Sequence, residues 1–117
     1  MKLNTEKYKI TIMTEDMCPD CLELKNKLDE LNIPFINKSI TPLVGQSNEA
    51  NFHQEVDKQK AANRWEFIDL SREFPDKVKF APVLVLENTE GKQDVFSLEG
   101  GFKNTDEALE ILKEYCI

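Results

Sequence analysis

Residues 14–21 of the chain are Thr-Glu-Asp-Met-Cys-Pro-Asp-Cys, so that Cys18 and Cys21 are separated by Pro19 and Asp20. Proline is favoured at the first position of a helix, because the N–H group that it lacks would have no intrahelical partner there. Pro19 therefore predicts a helix with Cys18 as its N-cap, whose sulfur accepts hydrogen bonds from the N–H groups of Asp20 and Cys21. These bonds and the positive end of the helix dipole both favour the Cys18 thiolate, which is the reactive form of cysteine.

Apolar positions on either side of this motif predict a strand before it and a helix after it. Tyr8, Ile10 and Ile12 alternate with polar residues, which is typical of a strand with two unlike faces. After the motif, apolar residues recur three and four apart as far as Leu31, and this spacing forms one face of a helix. Pro34 cannot continue that helix.

The rest of the chain predicts further strands on both sides of a helical crossover. The crossover occupies residues 41–79, and we expect Asn63 to break it into two helices. The last helix has Asn104 as its expected N-cap, with Glu107 three residues on, as in a capping box. The predicted order is a strand at 8–12, a helix to 31, a strand at 34–39, helices at 48–62 and 65–74, a hairpin of strands at 82–86 and 94–98, and a helix from 104.

Composition limits the classes of protein that the chain can belong to. The 117 residues suffice for one domain, 1–117, and the net charge is −7 with a pI near 4.8. Such an acidic domain is not expected to bind nucleic acid or an anionic membrane, because both require local positive charge. Residues 1–9 are polar and lack the apolar core of a signal peptide, and three cysteines do not suit a secreted disulfide framework. We therefore expect a reducing cytoplasmic location.

The strand, the Cys-Pro-Asp-Cys motif and the helix together resemble the glutaredoxin and thioredoxin families, and are nearer to the glutaredoxin branch. The resemblance extends from about Tyr8 to Leu112. It implies an α/β, thioredoxin-like fold of the glutaredoxin type, in which helices flank a four-stranded mixed sheet. Here the fold would include an extended helical crossover.

Two further landmarks of these families follow in the expected order. Ala81-Pro82 opens an apolar strand where the families carry a cis-proline that faces the active site. Gly100-Gly101 follows the last strand, where glutaredoxins carry a glycine pair. The resemblance therefore implies a substrate-binding surface that contains Pro19, Asp20, Ala81, Pro82, Gly100 and Gly101.

Three positions depart from the glutaredoxin pattern, and all three bear on glutathione. Glutaredoxins usually carry an aromatic residue where this chain has Asp20, and a basic residue where it has Glu15. The Asp that follows their glycine pair is out of step here, at Asp106. We expect no resident cofactor, and we expect glutathione, an anion at neutral pH, to be a poor reductant because Glu15, Asp16, Asp20 and Glu23 crowd the nucleophile.

The sequence thus predicts a thiol–disulfide oxidoreductase with Cys18 and Cys21 as its catalytic residues. Cys18 attacks a protein or small-molecule disulfide, Cys21 resolves the mixed disulfide, and a reductase or thiol donor restores the dithiol. Two alternatives stay open, namely a non-enzymatic binding module of the same fold and a redox sensor. Structural zinc would need four ligands, and the remaining candidates, His53 and Cys116, are isolated, so we expect no metal site.

Overall fold

The computed structural model of the protein describes residues 1–40 and 55–117. The loop and helix start expected between residues 41 and 54, together with His53, lie outside the described residues. No helix in the described part is long and apolar enough to cross a membrane. The elements are β1 (Tyr8–Thr14), α1 (Pro19–Glu30), β2 (Ile36–Ser39), α2 (Glu55–Glu73), β3 (Phe80–Asn88), β4 (Gln93–Leu98), β5 (Gly101–Phe102), α3 (Thr105–Leu112) and a 3₁₀ turn (Lys113–Tyr115).

The strands form one mixed sheet in the order β2-β1-β3-β4-β5. β1 pairs in parallel with β2 and antiparallel with β3, and β3 pairs antiparallel with β4 as the expected hairpin. Parallel neighbours need a crossover connection, which α1 supplies between β1 and β2. The register sets Thr14 opposite Ser39 and Met13 opposite Val83. The ends of β1 and β2 and the start of β3 therefore meet at one edge of the sheet.

The sheet has one strand more than the four-stranded arrangement that the resemblance implies. β5 pairs in parallel with the end of β4, with Leu98 opposite Phe102. A tight turn makes this possible, because Glu99 adopts a left-handed φ of 64° and the Gly100 N–H bonds the Ser97 carbonyl at 2.8 Å. A side chain on Gly100 would collide with the Lys77 carbonyl. The glycine pair, which the sequence places directly after the last strand of the hairpin, lets the chain turn back beside that strand.

Helices cover both faces of the sheet, as the sequence predicts. On one face, Ile10 and Ile12 of β1 and Leu84 of β3 pack with α1 and α3. On the other face, Val83 and Val85 of β3 pack with apolar side chains of α2. Residues 80–86 of β3 are all apolar because successive side chains point to opposite faces of the sheet and both faces are covered.

α2 runs through Asn63 without a break, which corrects the expectation of a broken crossover in its described part. Asn63 is buried, with 5% of its surface exposed. Its side-chain amide donates to the Ser39 carbonyl at 3.0 Å, and its oxygen accepts from the Gln59 amide at 3.0 Å. A polar side chain on the buried face of a helix suggested a break, but it instead joins α2 to the end of β2.

We expect Asn63→Ala to lower the free energy of unfolding by about 0.5–1.5 kcal/mol, because the hydrogen bond to the half-buried Ser39 carbonyl would be lost. Urea unfolding followed by circular dichroism measures this change. Asn26→Ala, at an exposed position of α1, is the matched control and should shift the midpoint little or slightly upward. Equal effects of the two substitutions would contradict the anchoring role of Asn63.

Candidate active site

The start of α1 fixes the position of the cysteine pair. Cys18 is the N-cap, with extended backbone angles, and Pro19 begins the helix, as the sequence predicts. Of the two expected donors, the Cys21 N–H donates to the Cys18 sulfur over 3.2 Å, whereas no bond from the Asp20 N–H is present in the described part. The two cysteines form a disulfide with each other. The structure therefore represents the oxidised form of the pair.

The two sulfur atoms differ in their access to solvent. Cys18 is half-buried, whereas only 2% of Cys21 is exposed and its side chain lies near the buried Leu24 on the inner face of α1. A disulfide substrate can reach only the sulfur that opens to solvent. This asymmetry fits Cys18 as the attacking group and Cys21 as the resolving group.

The start of β3 faces the Cys18 sulfur. The Ala81–Pro82 peptide bond is cis, as the resemblance implies, and the Ala81 carbonyl oxygen lies 4.0 Å from the Cys18 sulfur. The register between β3 and β4 passes from Phe80 directly to Val83, and β1 pairs only from Val83 onward. Ala81 consequently has no register partner on either neighbouring strand, and it lies beside the reactive sulfur.

Two clefts flank Cys18, one on each side of the loop that precedes it. The β2-side cleft, of about 510 Å³, lies between this loop, α1 and β2, and its lining includes Pro19, Cys21, Lys25 and Ser39. The β3-side cleft, of about 530 Å³, lies between the loop, α2 and β3. Its lining includes Met17, Arg64, Lys79, Phe80, Ala81 and Leu98.

The structure does not bring all the expected substrate-binding residues together. Pro19 and Ala81 each line a cleft beside Cys18, and Pro82 is buried directly behind Ala81. Asp20 is exposed on the first turn of α1 and lines neither cleft. Gly100 and Gly101 also line neither cleft.

Gly101 opens instead into a separate depression beside Lys103 and Glu107. Gly100 packs against the main chain of Lys77, which gives the glycine pair a structural role in the turn before β5. In this structure the pair therefore does not contribute to the cleft beside Cys18.

Basic residues of α2 pair with the acidic residues that precede Cys18. The Arg64 guanidinium lies 3.5 Å from the Glu15 carboxylate, and the Lys60 ammonium lies 3.3 Å from the Asp16 carboxylate. The acidic crowding expected at the active site is therefore offset in part by cations from another element. Sequence analysis missed this pairing, although Lys60 and Arg64 lie four residues apart and so share one face of a helix.

Three apolar or basic residues around Cys18 were also absent from the predicted site. Met17 adopts a left-handed φ of 58° and its side chain is fully exposed. Phe80 is 61% exposed at the start of β3, and Lys79 precedes it. The only available signal was their position next to Cys18 or Ala81 in the sequence.

The third cysteine lies apart from this site. Cys116 forms an isolated bridge with Leu3, and it lines neither cleft beside Cys18. Burial raises the pKa of its thiol. Among residues 1–40 and 55–117, no three residues of the types His, Cys, Asp and Glu lie close enough together to hold a metal ion.

Comparison with known proteins identifies the fold but no sequence family. No protein-family model and no curated protein sequence matches the chain. A solved structure titled "DsbH Oxidoreductase" is 19% identical in sequence with a TM-score of 0.50. The match covers 95% of this chain and 73% of that structure's chain. The structure of a disulphide isomerase from Xylella fastidiosa Temecula1 is 14% identical in sequence with a TM-score of 0.52. The match covers 94% of this chain and 79% of the isomerase chain. The chain has a thioredoxin-like fold.

We expect Cys18 to react first with iodoacetamide when the protein is reduced, by about ten-fold or more over Cys21, because its thiolate is both capped and accessible. Limited alkylation followed by peptide mass spectrometry measures the two rates. A Cys116→Ser background removes the third thiol from the measurement. Equal rates for the two cysteines would contradict the assignment of Cys18 as the nucleophile.

Proposed function

We propose that this protein is a thiol–disulfide oxidoreductase that reduces disulfides through the Cys18/Cys21 pair. One observation carries the proposal: the half-exposed sulfur of Cys18 is capped by the N-terminus of α1 and disulfide-bonded to the buried sulfur of Cys21. An accessible nucleophile with a shielded resolving thiol is the arrangement that dithiol exchange requires.

In the reduced protein, the Cys18 thiolate attacks one sulfur of the substrate disulfide. A bond forms between Cys18 and that sulfur, and the other sulfur leaves as a thiolate that takes up a proton. The Cys21 thiol then loses its proton and attacks the Cys18 sulfur, which releases the second substrate thiol and forms the Cys18–Cys21 disulfide. The substrate gains two electrons and the protein loses two, which an external dithiol must return.

The main chain of Ala81 supplies a way to hold an extended substrate. Its carbonyl lies 4.0 Å from the Cys18 sulfur and has no register partner on β1 or β4. An extended segment can therefore add main-chain hydrogen bonds beside the nucleophile, as in strand addition. This geometry favours disulfides within polypeptides as substrates.

The structural neighbours support redox chemistry, because one is titled an oxidoreductase and the other a disulphide isomerase. At 19% and 14% identity they share the fold with this chain, and the chemistry is inferred from its own cysteine pair. A glutaredoxin-like activity, as the sequence resemblance implies, is the narrower form of the proposal. A binding module or redox sensor would keep the fold and lack turnover.

We propose a protein reductase as the electron donor in a reducing, cytoplasmic compartment, and glutathione as a poor one. Two observations support this choice. Glu15 and Asp16 line the β2-side cleft, where Lys25 is the one cation among the described lining residues, and Glu15 stands where glutaredoxins usually carry a basic residue. Gly100 and Gly101, which match the glycine pair of glutaredoxins, lie outside both clefts.

Insulin reduction by dithiothreitol, followed by turbidity, tests the activity. The wild type should accelerate it, and Cys18→Ser should leave it at the uncatalysed rate. Cys21→Ser should accumulate mixed disulfides with substrate, visible on non-reducing gels, because nothing resolves them. Cys116→Ser is the control and should match the wild type. No acceleration by the wild type would favour a binding module, and equal trapping by both single variants would contradict the division of labour.

The electron donor is tested by coupling turnover to NADPH oxidation, with either glutathione and its reductase or thioredoxin reductase alone. We expect the reductase alone to support turnover several-fold faster, because glutathione meets Glu15 and Asp16 in the β2-side cleft and exposed like charges cost roughly 0.2–1 kcal/mol each. Rapid turnover with glutathione at a low Michaelis constant, insensitive to ionic strength, would contradict this choice.

A further inference from the structure

The β3-side cleft contains two cations whose hydrogen-bonding capacity is largely unused. Arg64 donates to Glu15 and to the Ile40 carbonyl, and both bonds come from Nη1. Its Nη2 and Nε therefore bond no group in the described residues, although a guanidinium carries five N–H donors. Lys79, which also lines this cleft, is exposed and forms no ion pair with any described residue.

The local charge beside Cys18 is less negative than that of the whole protein. Among the residues that line the β3-side cleft, Arg64 and Lys79 carry two positive charges against two negative charges on Glu15 and Asp16, in a chain of net charge −7. At physiological salt, charges beyond about 8 Å are largely screened. A group bound in the cleft therefore interacts mainly with the charges that line it, and not with the net negative charge of the whole protein.

Arg64 is held in a fixed orientation toward this cleft. Its guanidinium lies 5.0 Å from the centre of the Phe67 ring in a cation–π arrangement, in addition to its bonds to Glu15 and Ile40. A planar guanidinium that is already positioned loses little freedom on binding a carboxylate, which it can hold by two parallel bonds.

The remaining walls of the cleft suit a polypeptide. Met17, which directly precedes Cys18, and Phe80, the first residue of β3, are large, exposed apolar side chains that line the cleft. Leu98 of β4 adds a third apolar surface. A small acidic thiol would leave most of these surfaces uncovered, whereas side chains flanking a cystine in a peptide can pack on them.

We propose that the β3-side cleft selects polypeptide disulfides that carry an acidic residue next to the cystine, with Arg64 and Lys79 binding its carboxylate. This selectivity rests on the proposed oxidoreductase function and specifies its substrate class. The carboxylate pairs with the free nitrogens of Arg64 and with the Lys79 ammonium while the adjacent disulfide faces the Cys18 sulfur.

The test uses three self-quenched peptide dimers, each linked by one disulfide and differing only in the residues that flank the cystine: Glu, Gln or Lys. Fluorescence reports reduction by the full-length protein under dithiothreitol. We expect kcat/KM for the Glu peptide to exceed that for the Gln peptide by roughly two- to five-fold, as exposed ion pairs allow, and the Lys peptide to be slowest. The Glu-to-Gln ratio should approach one at 0.5 M salt, a concentration that screens exposed charges strongly.

Substitutions of the two cations test whether the β3-side cleft causes the preference for the Glu peptide. Arg64→Gln and Lys79→Gln should each lower the Glu-to-Gln ratio, whereas Arg64→Lys should retain more of it than Arg64→Gln. Lys77→Gln is the matched control, because Lys77 is exposed, lies two residues before Lys79 and contacts Phe96 outside the cleft. The ratio is taken within each variant, so that a change in folded fraction cancels.

Each outcome tests either the oxidoreductase function or the selectivity for an acidic residue beside the cystine. Failure to reduce the Gln peptide would contradict the oxidoreductase function itself. Reduction with a ratio near one, a preference for the Lys peptide, or a ratio unchanged by both Arg64→Gln and Lys79→Gln would overturn the selectivity alone. Glutathione disulfide that competes as strongly as the Glu peptide would show that a small acidic disulfide, and not a polypeptide, is the ligand.

Discussion

The hydrogen bond from the Cys21 N–H to the Cys18 sulfur, 3.2 Å long, is the interaction on which the proposed chemistry depends. It places the reactive sulfur at the positive end of α1 and satisfies one of the N–H groups that a helix start leaves without partners. Because the same helix turn directs Cys21 inward, one local structure produces both an accessible nucleophile and a shielded resolving thiol. The rest of the fold serves to hold a substrate against that sulfur.

The edge of the sheet determines what surrounds Cys18. β1 ends just before the motif, β2 ends beside it in parallel, and β3 begins there in the opposite direction, so three chain segments converge on one place. α2 is joined to this edge by polar contacts. Asn63 bonds the Ser39 carbonyl, Arg64 bonds the Ile40 carbonyl, and Glu66 forms a 2.8 Å ion pair with Lys38. The helix is thereby oriented so that its basic residues face the loop before Cys18.

These contacts change the electrostatics that the linear sequence suggests. The loop before Cys18 is acidic in sequence, and an isolated pair of carboxylates there would oppose both thiolate formation and the approach of an anion. In the folded protein each of the two carboxylates lies beside a cation of α2. The surface beside the nucleophile therefore combines a nearly balanced charge with exposed apolar side chains, although the protein as a whole is strongly acidic.

The sequence by itself determined the local features of this protein. Pro19 fixed the start of α1 and the capping role of Cys18, and the apolar patterns located β1, β3, α1 and α3. Asn104 capped α3 through the Glu107 N–H at 2.9 Å. These follow from interactions within a few residues, which short-range rules describe well. The resemblance to the glutaredoxin and thioredoxin families, which rests on the order of several motifs along the chain, predicted the thioredoxin-like fold and the cis Ala81–Pro82 bond.

Only the tertiary structure decided which distant residues meet. Arg64 lies 49 positions from Glu15, and their approach depends on how α2 packs on the sheet. The role of Asn63 as an anchor and the exclusion of Gly100 and Gly101 from the clefts depend on the same packing. The spacing of apolar residues indicates which face of a helix or strand is buried, but not which other element packs against that face. The charge beside Cys18 is for that reason a property of the fold.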